Sequence, residues 1–374
     1  MIEDKSMLDE KLFDYNLPLS ALSICVTSYN KSEHLNRALS QLEKLRDLGA
    51  EIVIIDDGST DESPDLLNHY AKGRKAVELH LQSNKGSANA RNRAMHFATR
   101  AMFFFFDIDD SIDIDVLVKN VTRLKQLEFN LIMMNYLFIH ENRIGSDFNE
   151  SGELVDIDFK NNRTSLMDTM GYWRILYTKV YIKEFNLKFT PTFSDLQGRR
   201  FIYDDFFWLL HLYSHDSQIK ISPNNEVVYF YNNVANQTPE AWKSYRHQAT
   251  LMPLAIEHFF KELGFCDHLH DQKWIAKTCL DSLYFHYANF TLSNLPRALA
   301  SLFRVIFNSE FSVNLGINPK SRIRLTFFLL FMTTRNSLAL LVNHFPAWTR
   351  LDRGIKKHFG FEKKKSVQSN VTLP

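Results

Sequence analysis

Three cysteines in a chain of 374 residues, Cys25, Cys266 and Cys279, are too few and too scattered for a disulfide framework or a zinc site. Their scarcity suggests a reducing compartment, and Cys25, inside a strand-like run, reads as a small core residue. Also missing is a basic segment followed by an apolar stretch at the start, where M-I-E-D-K-S-M-L-D-E-K stands, so a secretory signal peptide is not expected. No window reaches about 18 uninterrupted apolar residues. The nearest approach, Leu325–Met332 followed by Ser337–Val342, is broken by Thr333, Thr334, Arg335 and Asn336, so a membrane-crossing helix is not expected either. Net charge is only +1, which provides no global field toward nucleic acid, and none is expected as a partner.

What the chain does have is apolar bulk. At 45% hydrophobic residues it can bury a large core, as one full domain with an appendage. Its 31 phenylalanines exceed what a core needs; core filling is their ordinary use, and a surplus could line a substrate groove or face lipid. Charge is unevenly placed: Pro319–Pro374 carries eleven Lys or Arg against Asp352 and Glu362, a local net charge of +9. Together with the apolar faces of 296–307 and 323–342, that tail suits an anionic bilayer surface, the alternative being a packed helical appendage with a solvated tail.

Residues 1–20 are polar and read as a short N-terminal helix or arm before the first strand. Thereafter apolar runs alternate with helical periodicity. Strands are expected at Leu22–Thr27, Glu51–Ile55, Val77–Leu81 and Met102–Phe106, with helices through Leu35, Leu39, Leu42 and Leu45 and through Leu66, Leu67 and Tyr70. Strand-helix alternation implies an α/β domain with a mostly parallel sheet and ligands at its carboxyl edge. Leu131–Tyr136 continues the sheet, Glu141–Ser165 reads as a polar excursion, and Val227–Asn232 is a further strand. The domain is expected to span 21–238, with a mainly helical region over 239–374.

The stretch A-M-F-F-F-F-D-I-D-D-S-I, Ala101–Ile112, is a buried strand running into Asp107, Asp109 and Asp110. Carboxylates crowded at a strand end repel one another, and a hard cation with oxygen ligands relieves that repulsion. Residues two apart on a strand share a face at about 6.5 to 7 Å, so Asp107 and Asp109 could grip one ligand complex from one side. Capping of the next helix is the alternative use of acids here, although Asp113 or Asp115 could do that alone.

V-T-S-Y-N at 26–30, I-I-D-D-G-S-T-D at 54–61, N-K-G-S-A-N-A-R-N at 84–92 and F-D-I-D-D at 106–110 resemble, in order and spacing, the family 2 glycosyltransferases. The resemblance implies a GT-A fold, Rossmann-like, and an inverting, metal-dependent sugar transfer from a nucleoside diphosphate sugar, UDP-linked by family expectation. A glycan or lipid-linked acceptor of a bacterial surface polysaccharide follows from the same source. It also implies roles. Thr27 and Tyr29 would lie against the base, and Asp57 would accept a hydrogen bond from uracil. Gly86 would permit close backbone approach, and Arg91 would bring positive charge near the nucleotide or pair with Asp57. Asp107-Ile108-Asp109 matches the D-x-D motif for Mn2+ or Mg2+, with Asp107 nearer the ribose and Asp109 or Asp110 on the metal.

Further on, G-Y-W-R-I-L-Y at 171–177 resembles the segment leading to the acceptor half, with Trp173 a candidate for sugar stacking. Trp173 and Tyr177 at helical spacing also fit plain packing. R-R-F-I-Y-D-D-F-F-W at 199–208 resembles the family's Glu-Asp motif. It would place Asp205 as the catalytic base and Asp204 where relatives carry Glu, and that departure leaves the two exchangeable. Two rivals remain: a non-catalytic nucleotide-binding scaffold of a membrane assembly, and a haloacid dehalogenase-type phosphatase with Asp107 as nucleophile. The expected location is cytoplasmic, peripheral on the inner face of the cell membrane.

Overall fold

The computed structural model describes residues 16–126, 130–138, 143–144, 151–158, 175–189, 207–208, 212, 218–223 and 226–231. All of them lie in one of two compact units of the chain. Most of the N-terminal arm and the whole of 239–374 fall outside the described residues.

The first half alternates as its periodicity predicts: β1 (Leu22–Ser28), α1 (Ser32–Asp47), β2 (Glu51–Asp56), α2 (Ser63–Ala71), β3 (Val77–Leu81), α3 (Ser87–Phe97) and β4 (Met102–Asp107). The inward stripe of α1 is Leu35, Ala38, Leu42 and Leu45, so Ala38 takes the core slot expected of Leu39. Helix α3 begins at Ser87, which puts Arg91 and Asn92 inside it.

These four strands are parallel neighbours in the order β3-β2-β1-β4. The chain steps outward from β1 to β3 and then returns to the other side of β1, which makes the carboxyl ends of β1 and β4 a topological switch point. Open α/β sheets leave their ligand crevice there. Thr27 and Asp107 are register partners at that point.

Beyond β4 come β5 (Ser111–Ile112), α4 (Ile114–Gln126), β6 (Leu131–Met133), β7 (Asn135–Phe138), β8 (Arg143–Ile144), β9 (Val155–Asp158), β10 (Ile175–Thr178), α5 (Lys179–Glu184), β11 (Gln218–Ile221) and β12 (Val227–Tyr231). The main sheet continues as β4-β10-β6-β11-β9, with β10 antiparallel to both neighbours, and a second sheet runs β5-β12-β7-β8. The strand expected over 131–136 is therefore two strands in two sheets. Buried Asn135 holds the crossing, its Nδ2 donating to the carbonyls of Ser222 (3.3 Å) and Pro223 (2.7 Å). The excursion expected over 141–165 contributes β8 and β9. Tyr177 lies on a strand and not at helical spacing.

The four phenylalanines of β4 split by strand alternation between the two faces of the sheet. Phe105 packs edge-on against Tyr177, Phe189 and Trp208, while Phe103 stacks on Tyr177 at 5.3 Å. Trp208 Nε1 donates to Tyr177 Oη at 2.7 Å. These aromatic residues are core, not groove lining. At the amino end of the sheet, Glu51 accepts from Ser23 Oγ (2.5 Å), Thr99 N (2.8 Å) and Thr99 Oγ1 (2.5 Å), joining β1, β2 and the approach to β4.

Candidate functional site

The loops after β1 and β2 lock together before any ligand is considered. Asn30, in the left-handed region at φ 51°, donates its N–H to Ser59 Oγ at 2.8 Å, and its Oδ1 accepts from Thr60 N at 2.8 Å. Asp56 takes Ser59 N (2.9 Å) and Ser59 Oγ (2.6 Å). Asp61 accepts from Ser32 N and Ser63 N, both at 3.0 Å, so one carboxylate serves the first turns of α1 and α2. Burial pushes the Asp61 carboxyl up, but hydrogen bonds from Ser63 and Ser32 outweigh it and bring the pKa down to about 2. Gly58 sits at φ +78°, and a Cβ there would stand 2.6 Å from Asn84 N. That turn must be glycine because the next loop presses against it.

Asp57, 4% exposed, is where the second and third motifs meet. Its Oδ1 accepts from Gln82 Nε2 and from Lys85 N, each at 2.7 Å, and its Oδ2 accepts from Gly86 N at 2.7 Å. Gly86 reaches it with φ +91° at the start of α3. The pairing of Arg91 with Asp57 is not what forms. Asp57 takes three donors from the 82–86 loop, and Arg91 Nη2 lies 3.6 Å from Asp107 Oδ1 with its guanidinium over the Phe189 ring.

Strand β4 ends at Asp107, whose N–H donates to Tyr229 Oη at 3.1 Å. Asp110 N then bonds Asp107 O at 3.0 Å, closing a turn. The expectation that Asp107 and Asp109 share one strand face is corrected by that turn, since Asp109 lies past the strand. Its carboxylate meets Lys31 Nζ at 2.6 Å, and its carbonyl accepts from Arg37 Nη2 at 2.5 Å. Asp110 is 1% exposed. Asp113 does the capping, accepting from Val116 N at 3.0 Å.

Among the described residues no group of three or more His, Cys, Asp or Glu is placed to hold a metal ion. Asp107 and Asp109 are nonetheless partly exposed oxygen donors at the sheet edge. Mg2+ is commonly held by one or two carboxylates plus substrate phosphates, and these two fit that donor set. Thr27 lies one residue before the end of β1, and Tyr29, 46% exposed, follows it. Trp173, Asp204 and Asp205 lie outside the described residues. Sequence reasoning missed Lys31, Arg37, Gln82 and Tyr229; the first follows V-T-S-Y-N directly, but nothing local marks its partner 78 positions away.

Residues 23–203 match the family described as Glycosyl transferase family 2. EpsH of Bacillus subtilis (strain 168), named as a glycosyltransferase, is 30% identical over 138 residues, 37% of this chain and 38% of its own length. Glycosyltransferase GlyG of Streptococcus pneumoniae is 24% identical over 216 residues, covering 56% of this chain and 70% of GlyG. The chain spans between 26% and 49% of three curated relatives, in Bacillus subtilis, Escherichia coli and Haemophilus influenzae. The crystal structure of Staphylococcus aureus TarS 1-349 in complex with UDP-GlcNAc matches with TM-score 0.57 at 16% identity, over 84% of this chain and 88% of that one. At that identity the likeness carries the fold alone.

Proposed function

We propose, from the premise that residues 23–203 are a glycosyl transferase family 2 domain, that the protein transfers a sugar from a UDP-sugar to a hydroxyl of a glycan or lipid-linked acceptor. The observation that carries this reading is the state of Asp57 at the switch-point edge. A carboxylate offers about four acceptor positions, two per oxygen. Three are filled by Gln82, Lys85 and Gly86, which leaves one on Oδ2. Asp57 N–H donates to Ser28 O at 2.8 Å, so this one acceptor sits on the loop packed against the residue before exposed Tyr29, and a single acceptor suits a base with a single ring N–H, as uracil has.

In this mechanism Asp57 accepts the uracil N–H while Thr27 and Tyr29 flank the base. Asp107 and Asp109 would hold a divalent cation, and the bond from Asp110 N to Asp107 O fixes the turn between them. When bound, Mn2+ or Mg2+ supplies charge stabilisation to the departing nucleoside diphosphate. Arg91 keeps Asp107 oriented. Asp205 takes the acceptor hydroxyl's proton so that the oxygen attacks the anomeric carbon opposite the leaving group, with Asp204 as the exchangeable neighbour and Trp173 a stacking surface for sugar. The basic segment 319–374 rests on an anionic membrane surface, and the product belongs to bacterial surface polysaccharide.

The test is release of nucleoside diphosphate from a panel of sugar donors with acceptor present. Release with UDP-sugar that stops in chelator and in Asp205→Asn is expected. Turnover that survives both, or hydrolysis of a generic phosphomonoester instead, would sink the proposal.

A further inference from the structure

Gln82 stands just past β3, where its backbone N–H donates to Asp56 O at 3.0 Å and extends the β2–β3 ladder by one residue. That bond sets its side chain beside Asp57. Its amide bridges opposite charges: Nε2 donates to Asp57 Oδ1 at 2.7 Å, and Oε1 accepts from Arg93 Nη1 at 3.0 Å. The order cannot be reversed, because a carboxylate accepts only N–H and a guanidinium gives only N–H. Arg93 is braced in turn on α3, its guanidinium 5.5 Å from the Phe97 ring centroid, and Phe97 stacks on His80 of β3 at 3.6 Å. The arrangement delivers a fixed N–H to one position on Asp57.

We propose that Gln82, oriented by Arg93, is a positioning residue that sets base specificity by occupying the second acceptor position of Asp57 Oδ1. This rests on the reading that Asp57 meets the base. With Oδ1 carrying both Gln82 Nε2 and Lys85 N, only Oδ2 can take a ligand donor. Uracil presents one ring N–H flanked by two carbonyls and is satisfied by one acceptor. Guanine presents its ring N–H and an adjacent amino group, and pairing both with a carboxylate requires both oxygens. One guanine donor is then left without a partner in a buried site, which lowers affinity roughly 5- to 150-fold. The discrimination belongs to Gln82 as much as to Asp57, since removing the amide reopens the position that a second donor needs.

The experiment is calorimetric titration of the full chain with UDP and with GDP in Mn2+, for wild type, Gln82→Met and Arg93→Met, each checked by its melting temperature. Gln82→Met removes the N–H, and its flexible unbranched thioether has no bond to Oδ1 and can swing off it. Wild type should prefer UDP. Gln82→Met should narrow the UDP:GDP ratio by about tenfold. Arg93→Met should narrow it less, because the amide stays in place but is free to turn. A merely structural Gln82 would weaken both nucleotides together and leave the ratio alone. Wild type that prefers UDP with a ratio unchanged in both variants overturns this inference and leaves the proposed function standing. Wild type without preference for UDP overturns the inference and the Asp57 reading together. Should Gln82→Met fail to fold, Arg93→Met decides the question by the same ratio.

Discussion

The two ends of the parallel strands β3-β2-β1-β4 hold carboxylates in opposite ways. At the amino end, Glu51 is 8% exposed and takes three short hydrogen bonds from neutral donors on Ser23 and Thr99. At the carboxyl end, Asp109 and Asp107 keep side-chain exposures of 20% and 22% and face long cationic side chains, Lys31 at 2.6 Å and Arg91 at 3.6 Å. A carboxylate saturated by short neutral donors fixes geometry and has nothing left to offer. One that faces a flexible cation at a wet edge can exchange that cation for a ligand. Asp57 stands between these limits, buried but with three of about four acceptor positions taken.

The largest break in this contrast comes from Asp109→Asn. It should lower nucleoside diphosphate release by at least about a thousandfold, because the cation's charge stabilisation is worth several kcal/mol at about 1.4 kcal/mol per tenfold. Melting temperature should hold; activity within tenfold of wild type would erase the distinction between the two ends. Glu51→Ala should do the reverse. Stranding the Ser23 and Thr99 donors costs roughly 2 to 3 kcal/mol in a urea titration, with nucleotide affinity of the folded protein intact.

Acid sharpens the comparison further. The Asp61 carboxyl falls from an ordinary 3.8 to about 2, so it is ionised more readily in the folded chain. Its contribution to stability is full above pH 3.8 and is lost as pH falls through about 2. Asp61→Asn should therefore flatten the acid limb of the stability curve between those values, measured by unfolding at stepped pH. The smallest effect is expected of Lys31→Met. Freeing Asp109 from a partly exposed ion pair worth about 0.2 to 1 kcal/mol should tighten Mn2+ binding without nucleotide by a few-fold at most, read by manganese resonance.

Much of this was legible in the chain. The alternation of apolar runs and helical periods fixes α/β order, and carboxylates at strand ends are local signals that survive folding unchanged. What escaped is long-range. Arg91 meets Asp107, while Asp57 draws its donors from the 82–86 loop, and neither pairing is marked in the local sequence. The break of 131–136 into two sheets depends on where Ser222 and Pro223 present their carbonyls to Asn135. Asp109 leaves the strand face because Asp110 N finds Asp107 O, a turn that D-I-D-D alone does not announce. Glu51 opens its strand as an unremarkable acid, and only tertiary contact with Thr99 shows it to be a clamp.

On the proposed reading the carboxyl edge binds a uridine nucleotide while the amino edge holds the sheet. Calorimetric titration with UDP and Mn2+ of wild type, Asp57→Ala and Glu51→Gln tests it most directly. Saturable UDP binding in wild type and Glu51→Gln, lost in Asp57→Ala, is the predicted result. No saturable binding in wild type, or equal affinity in Asp57→Ala, would contradict it.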